Sequence, residues 1–261
     1  MITLPKETDV VAVKKVIEDF FDEPVKVVSK EHGIVQHPFA AWTPFVRVKD
    51  YSKVGSDNSF DVENHIFYNL DNPEEYKEWK DWYKEKVFNY FDEDGVLSLA
   101  VTVNKPWRLI FLKELLNRNI VSRKDFSTLL GRMFKATEFP HGLGEQAVIW
   151  SQLFHIWFMI ADKNNLMDEE ELKALADMPE EITIYRGYGE GGFKGGVAWT
   201  TNKDKAIWFA DRAHIFLGNE NGYVVEATVN KNNVLAYFSY EDTVIIPPET
   251  VEDAVEIYSC K

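Results

Sequence analysis

The chain has 261 residues, 45% of them hydrophobic and 14% aromatic, and a formal net charge of -14. This length suits one large domain or two small ones, and this composition excludes a disordered chain. The acidic balance excludes a molecule coated all over with nucleic acid, because its field repels phosphate, and the single cysteine, Cys260, excludes a disulfide framework or a Cys-based zinc site.

The opening residues "MITLPKETDVV" lack a basic region followed by an apolar one, so a cytoplasmic location is expected. Residues 10–22 place Val10, Val13, Ile17 and Phe20 on one helical face before Pro24, which predicts a first helix. From Val25 to Leu70 the β-prone runs "VKVVS" and "FVRVKDY" and the turn cluster "VGSDNS" predict strands and loops. Asn72 before Pro73, with acids in the first turn, opens a helix over 72–91 whose packing stripe is Tyr76, Trp79, Tyr83 and Phe88. Several helices follow between Trp107 and Ala176. The longest apolar run, Ala147 to Ala161, is broken by Ser151, Gln152 and His155 and reads as a buried helix, not a bilayer span, so no membrane partner is expected.

From Ile182 onward "ITIYR", "YVVEATV", "NVLAYF" and "TVIIP" predict a compact sheet. One helix interrupts it, expected to be capped by Thr201 with Asp204 and to turn Ala206, Ile207, Ala210 and Ala213 toward the sheet. The whole reads as α+β: an N-terminal mixed and helical region over 1–105, then a helical segment with a β-rich core over 106–261.

Strand alternation puts Arg186 on the same face as Ile182 and Ile184. A guanidinium beyond two isoleucines needs an anion, which is either an internal carboxylate or a phosphate ligand. The loop that follows, "GYGEGGFKGG", allows backbone amides to approach a ligand but has no Walker or Rossmann spacing.

The order "YRG", glycine loop, "AWTT", helix "AIWFADR", strand "YVVEATV", then "VLAYF" and "EDTVIIPP" resembles the ADP-ribosyltransferase-like fold of the arginine, serine, glutamate type, particularly small phage and bacterial relatives, over roughly Glu145 to Pro248. The resemblance implies that Arg186 binds the phosphates and ribose of NAD and that Ala198, Trp199 and Thr200 shape the nicotinamide pocket. It places the acidic motif on Glu241, Asp242 and Thr243. The substrate-binding set so implied is Arg186, Gly187, Trp199, Thr200 and Thr243, and the catalytic set is Glu241, Asp242 and Arg186. Two positions depart from the family pattern, Ala198 where it has a serine and Thr243 where it has the catalytic glutamate. A carboxylate beside the ribose stabilises the oxocarbenium-like state formed when an N-glycosidic bond breaks, and a threonine hydroxyl does not. Alternation along a strand places Glu241 on the face of Thr243 and Asp242 opposite, making Glu241 the better substitute.

Between Lys105 and Lys135 the bases, Arg108, Arg118, Arg123, Lys124 and Arg132 among them, outnumber the acids. The run reads either as a solvated helix surface or as a local patch binding a phosphate backbone. Trp199 and Trp208 read as core or as stacking platforms. His32, His37, His141 and His155 have no ligand spacing, and no metal is expected. The expected function is an enzyme that cleaves an N-glycosidic bond, either ADP-ribosyl transfer or hydrolysis of NAD, with a macromolecular acceptor or water, or removal of a base from nucleic acid in phage-host conflict. The alternative is a catalytically degenerate module that binds a nucleotide or a protein.

Overall fold

A computed structural model describes residues 3–23, 26–29, 34–39, 45–48, 67–69, 72–137, 145–190, 192–217 and 221–260. The chain is α+β and divides into two compact units, Leu4–Ser122 and Arg123–Lys261 with Met1–Thr3. The division falls later than position 105 because 106–122 is tied to the N-terminal segment. Asp9 N–H donates to Ile120 O at 2.8 Å, and Ser122 N–H donates to Thr8 Oγ1 at 2.8 Å.

In the first unit α1 (Val10–Phe21) starts at Asp9, whose carboxylate accepts the Ala12 N–H at 2.9 Å. Its buried stripe is Val13, Val16, Ile17, Phe20 and Phe21, while Val10 is exposed. Two short antiparallel pairs follow: β1 (Lys26–Ser29) with β2 (Ile34–Gln36), and β3 (Phe45–Val48) with β4 (Phe67–Asn69). Pro24 and the "VGSDNS" cluster lie outside the described residues. Next comes α2 (Pro73–Asp94), capped by Asn72 Oδ1, which accepts the Glu74 and Glu75 N–H groups. Its buried stripe runs Trp79, Tyr83, Val87, Phe91 at intervals of four, so Val87 and Phe91 take the packing role expected of Phe88. The short α3 (Leu99–Thr102) and then α4 (Arg108–Asn117) complete the unit.

The second unit opens with α5 (Arg123–Lys135), α6 (Glu145–Ile160), α7 (Lys163–Leu166) and α8 (Glu169–Asp177). The α6 run buries only one face, through Ser151, Phe154, Trp157 and Phe158, and leaves Ile149, Ile156 and Met159 exposed. Among the described residues no helix is long and apolar enough to cross a membrane.

The sheet is built around β5 (Glu181–Gly189) and β7 (Gly222–Asn230), which pair from Glu181 opposite Asn230 to Gly189 opposite Gly222. On one side lies β10 (Val255–Cys260); on the other lie β6 (Ala198–Thr200), β9 (Thr243–Ile245) and β8 (Ala236–Phe238), in the order β10-β7-β5-β6-β9-β8, all antiparallel. The crossing helix α9 (Lys203–Leu217) is capped by Asn202, whose Oδ1 accepts the N–H groups of Asp204 and Lys205, and not by Thr201. The amide side chain of Asn202 lies one residue closer to the orphan N–H groups. Ala206, Ala210 and Ala213 are buried, and Ile207 packs beside them. Small residues let α9 lie directly on the strands. A Cβ on residue 187 would overlap Ala206 O, and one on residue 222 would overlap Ala210 O. Gly187 therefore serves helix-on-sheet packing.

Candidate functional site

Arg186 follows the buried Ile182 and Ile184 on β5, as alternation requires. Among the described residues no carboxylate meets it. Its Nε donates to Phe193 O at 3.2 Å and its Nη1 to Ala198 O at 2.6 Å, so the glycine loop folds back onto the guanidinium and supplies carbonyls where an acid was one of two expected partners. A Cβ on residue 196 would overlap Arg186 Nη2 and lie 2.5 Å from Cζ, so the guanidinium keeps this place only beside a glycine. The same loop is anchored by Trp199 Nε1 to Gly196 O at 2.8 Å, Lys194 Nζ to Ala254 O at 2.6 Å and Ser151 Oγ to Gly195 O at 3.4 Å. Burial pushes Arg186 down to about 10, with Tyr188 acting the other way. It remains a cation at neutral pH, and two carbonyl dipoles accept from its Nε and Nη1 without cancelling its charge.

The acidic motif is not a strand at its first two positions. Ser239–Glu241 is a 3₁₀ turn, Asp242 has left-handed backbone angles (φ 50, ψ 37), and β9 begins only at Thr243. Strand alternation therefore does not set the relation of Glu241, Asp242 and Thr243, which overturns the reasoning that placed Glu241 and Thr243 on one face. Instead, bonds to the turn backbone hold it. Thr200 Oγ1 donates to Glu241 O at 2.9 Å, Thr201 N–H to Asp242 O at 3.0 Å, and Lys205 Nζ to Tyr240 O at 3.4 Å. The Asp242 carboxylate is occupied structurally, accepting from Tyr237 OH at 3.3 Å and pairing with Lys205 Nζ at 3.1 Å.

Glu241 differs from Asp242. Its half-buried carboxylate has no hydrogen bond or ion pair among the described residues; burial pushes its pKa up, and Lys205 and Arg212 on α9 pull it back down. Arg186 and Glu241 are not bonded to each other. Both are tied to β6, Arg186 through Ala198 O and Glu241 through Thr200, two residue steps or about 7 Å apart along the strand.

Thr200 is buried and acts as a connector, also accepting the Asn202 N–H at 3.1 Å. Trp199 is core, its indole spent on the glycine loop. Thr243 pairs with Thr200 in the β6–β9 register. Trp208 is 49% exposed, with Arg212 Cζ 5.0 Å from its ring centroid.

The basic run is divided between the two units. Arg108 is buried and donates to Val103 O at 3.0 Å, and Arg118 pairs with Asp19 and Glu114, each at 2.8 Å. Arg123 closes α6 by donating to Ile160 O and Ala161 O. Lys124 and Arg132 are exposed and without an ion pair among the described residues. His37 is buried among aromatic rings, and His155 Nε2 lies 3.6 Å from Glu249; His32 and His141 lie outside the described residues. Among the described residues no cluster of His, Cys, Asp and Glu is arranged to hold a metal ion.

Sequence reasoning missed Glu171, Lys135, Lys205 and Tyr237, which surround the acidic turn. The D-x-x-E spacing of Asp168 and Glu171 signals a helix start, and that capping box is present, but nothing local signals that Glu171 also reaches Ser239. No family model, curated protein or solved structure matches this chain.

Proposed function

We propose that the second unit cleaves the N-glycosidic bond of a nucleotide of the NAD type. The observation that carries this reading is Arg186, a part-buried cation with no carboxylate partner among the described residues, its place kept by the absence of a Cβ at Gly196. Such a group favours a phosphate that enters beside it. Glu241 serves as the ionised acid that stabilises positive charge on the ribose as the C1′–N bond breaks. The bond's electron pair leaves with the base, and a water or acceptor oxygen attacks C1′ and gives its proton to Glu241, so that NAD and water yield ADP-ribose, nicotinamide and a proton. Lys205 and Arg212 favour the ionised form of Glu241 and oppose the larger effect of burial.

Incubation with NAD, followed by mass spectrometry of the released base, tests this. Nicotinamide is expected from the wild type and a loss of about 10²-fold or more from Glu241→Gln. Absence of both nicotinamide and any NAD-induced rise in melting temperature overturns the reading. A parallel incubation with phage DNA, scored for abasic sites, tests nucleic acid as the substrate; Lys124 and Arg132 are the exposed cations that favour it. NAD binding without released base identifies a binding module.

A further inference from the structure

Glu171, on α8, is only 1% exposed. Burying a carboxylate so fully is costly unless donors surround it. Three do so here: Lys135 Nζ at 3.0 and 3.2 Å, Asp168 N–H at 3.1 Å and Ser239 N–H at 3.3 Å. The Asp168 bond belongs to the capping box and would serve the helix alone. The Ser239 bond serves something else. It joins the start of α8 to the first residue of the turn that carries Glu241, and Lys135 reinforces it by lying 5.3 Å from the centroid of the Phe238 ring, one residue earlier.

The far end of the turn is held by Thr200, Thr201 and Lys205. The turn thus has two fixed ends, and its left-handed residue, Asp242, sits at the second. A non-glycine residue in that conformation persists where surrounding contacts over-determine it. We propose that Glu171, with Lys135 as its counter-ion, is a positioning residue that fixes the Ser239–Asp242 turn and thereby keeps the Glu241 carboxylate in its half-buried place. The proposal rests on the reading of Glu241 as the working acid. Glu171 acts through the backbone of Ser239.

Two signals in the intact protein test it, the exchange rate of the Ser239 amide and the titration of the Glu241 side-chain carboxyl, both read by NMR. Loss of one carboxyl signal in Glu241→Gln assigns the resonance. The charged groups that face Glu241, Lys205 and Arg212 from α9 and the adjoining Asp242, are left in place. In Glu171→Gln, Ser239 exchange is expected to quicken tenfold or more, and the Glu241 midpoint to fall by about half a unit or more toward the ordinary carboxylate value as water reaches it. A lower melting temperature with both signals as in the wild type means a purely structural role and overturns the proposal; so does a variant unchanged in every respect. Lys135→Gln keeps both backbone N–H bonds to Glu171 and is expected to move both signals in the same direction by less. If Glu171→Gln does not fold, wild-type signals in Lys135→Gln overturn the proposal. Neither signal needs a substrate. A wild type that releases no base refutes the role of Glu241 and leaves the clamp standing, whereas base release with an unmoved titration refutes the clamp alone.

Discussion

The aromatic core of the first unit and the candidate site of the second deal with buried ionisable groups by different means. In the first, His37 is enclosed by Phe21, Phe39, Tyr76 and Trp79, with ring centroids 5.5 to 6.4 Å from its own. Its Nδ1 accepts the Phe39 N–H at 3.1 Å, and burial pushes it down to about 4, so it is neutral. In the second, the Glu171 carboxyl is paired with Lys135, and Arg186 keeps its charge while donating to two carbonyls. A histidine sheds its charge cheaply because its ordinary value lies near neutrality; an arginine does not. Buried charge is therefore retained around the candidate site and discarded in the aromatic core.

The severest way to break this contrast is to push α9 off the sheet. Gly187→Val places side-chain atoms against the Ala206 carbonyl, which is backbone and does not move aside. A loss of about 4 kcal/mol or more is expected, seen as failure of the second unit to fold in circular dichroism and soluble-expression assays.

Acid sharpens the other half of the comparison. A base whose folded value lies below its unfolded value contributes no penalty above the unfolded value, and stability falls as the pH drops from about 6.5 through about 4. The expected loss across that window is about 3 kcal/mol, measured by urea denaturation at successive pH values. In His37→Gln the slope attributable to this group should disappear.

Gly196→Ala sets stability against ligand capture. The added methyl meets the end of the Arg186 side chain, which is able to shift, so a cost of about 1 kcal/mol is expected in thermal melts. Stabilisation by NAD should be lost, because the guanidinium has moved. Retained NAD stabilisation would separate the glycine loop from the phosphate site.

The smallest effect has the opposite sign. Burial disfavours the ionised form of Glu241, so Glu241→Gln is expected to raise stability by a few tenths of a kcal/mol at neutral pH while base release falls. A variant that is both less stable and fully active would show that Glu241 is structural.

Local patterns made much of the fold legible. The cap at Asn72 and the 3.6-residue spacing of α1 are readable in the chain because a helix start depends on residues three or four apart. The alternation of Ile182, Ile184 and Arg186 was likewise readable, since period two is intrinsic to a strand. Where reading failed, a longer-range contact had decided. Glu241 and Asp242 look like the start of strand β9 but lie in a turn, because Thr200, Thr201 and Lys205 claim their backbone and side-chain groups. The cations from Arg108 to Arg132 read as one run, yet Arg108, Arg118 and Arg123 each found a protein partner.

By itself, then, the sequence determined the α+β class, the helix start at Asn72 and the place of an arginine at the end of an apolar strand. All of these depend on interactions within a few residues. Only the tertiary structure decided what compensates that arginine, which of two adjacent acids is unbonded among the described residues, and that a buried glutamate 68 residues before Ser239 accepts its N–H at the start of the acidic turn. Those outcomes depend on desolvation and on which donors arrive from distant elements, and neither quantity exists until the chain has packed.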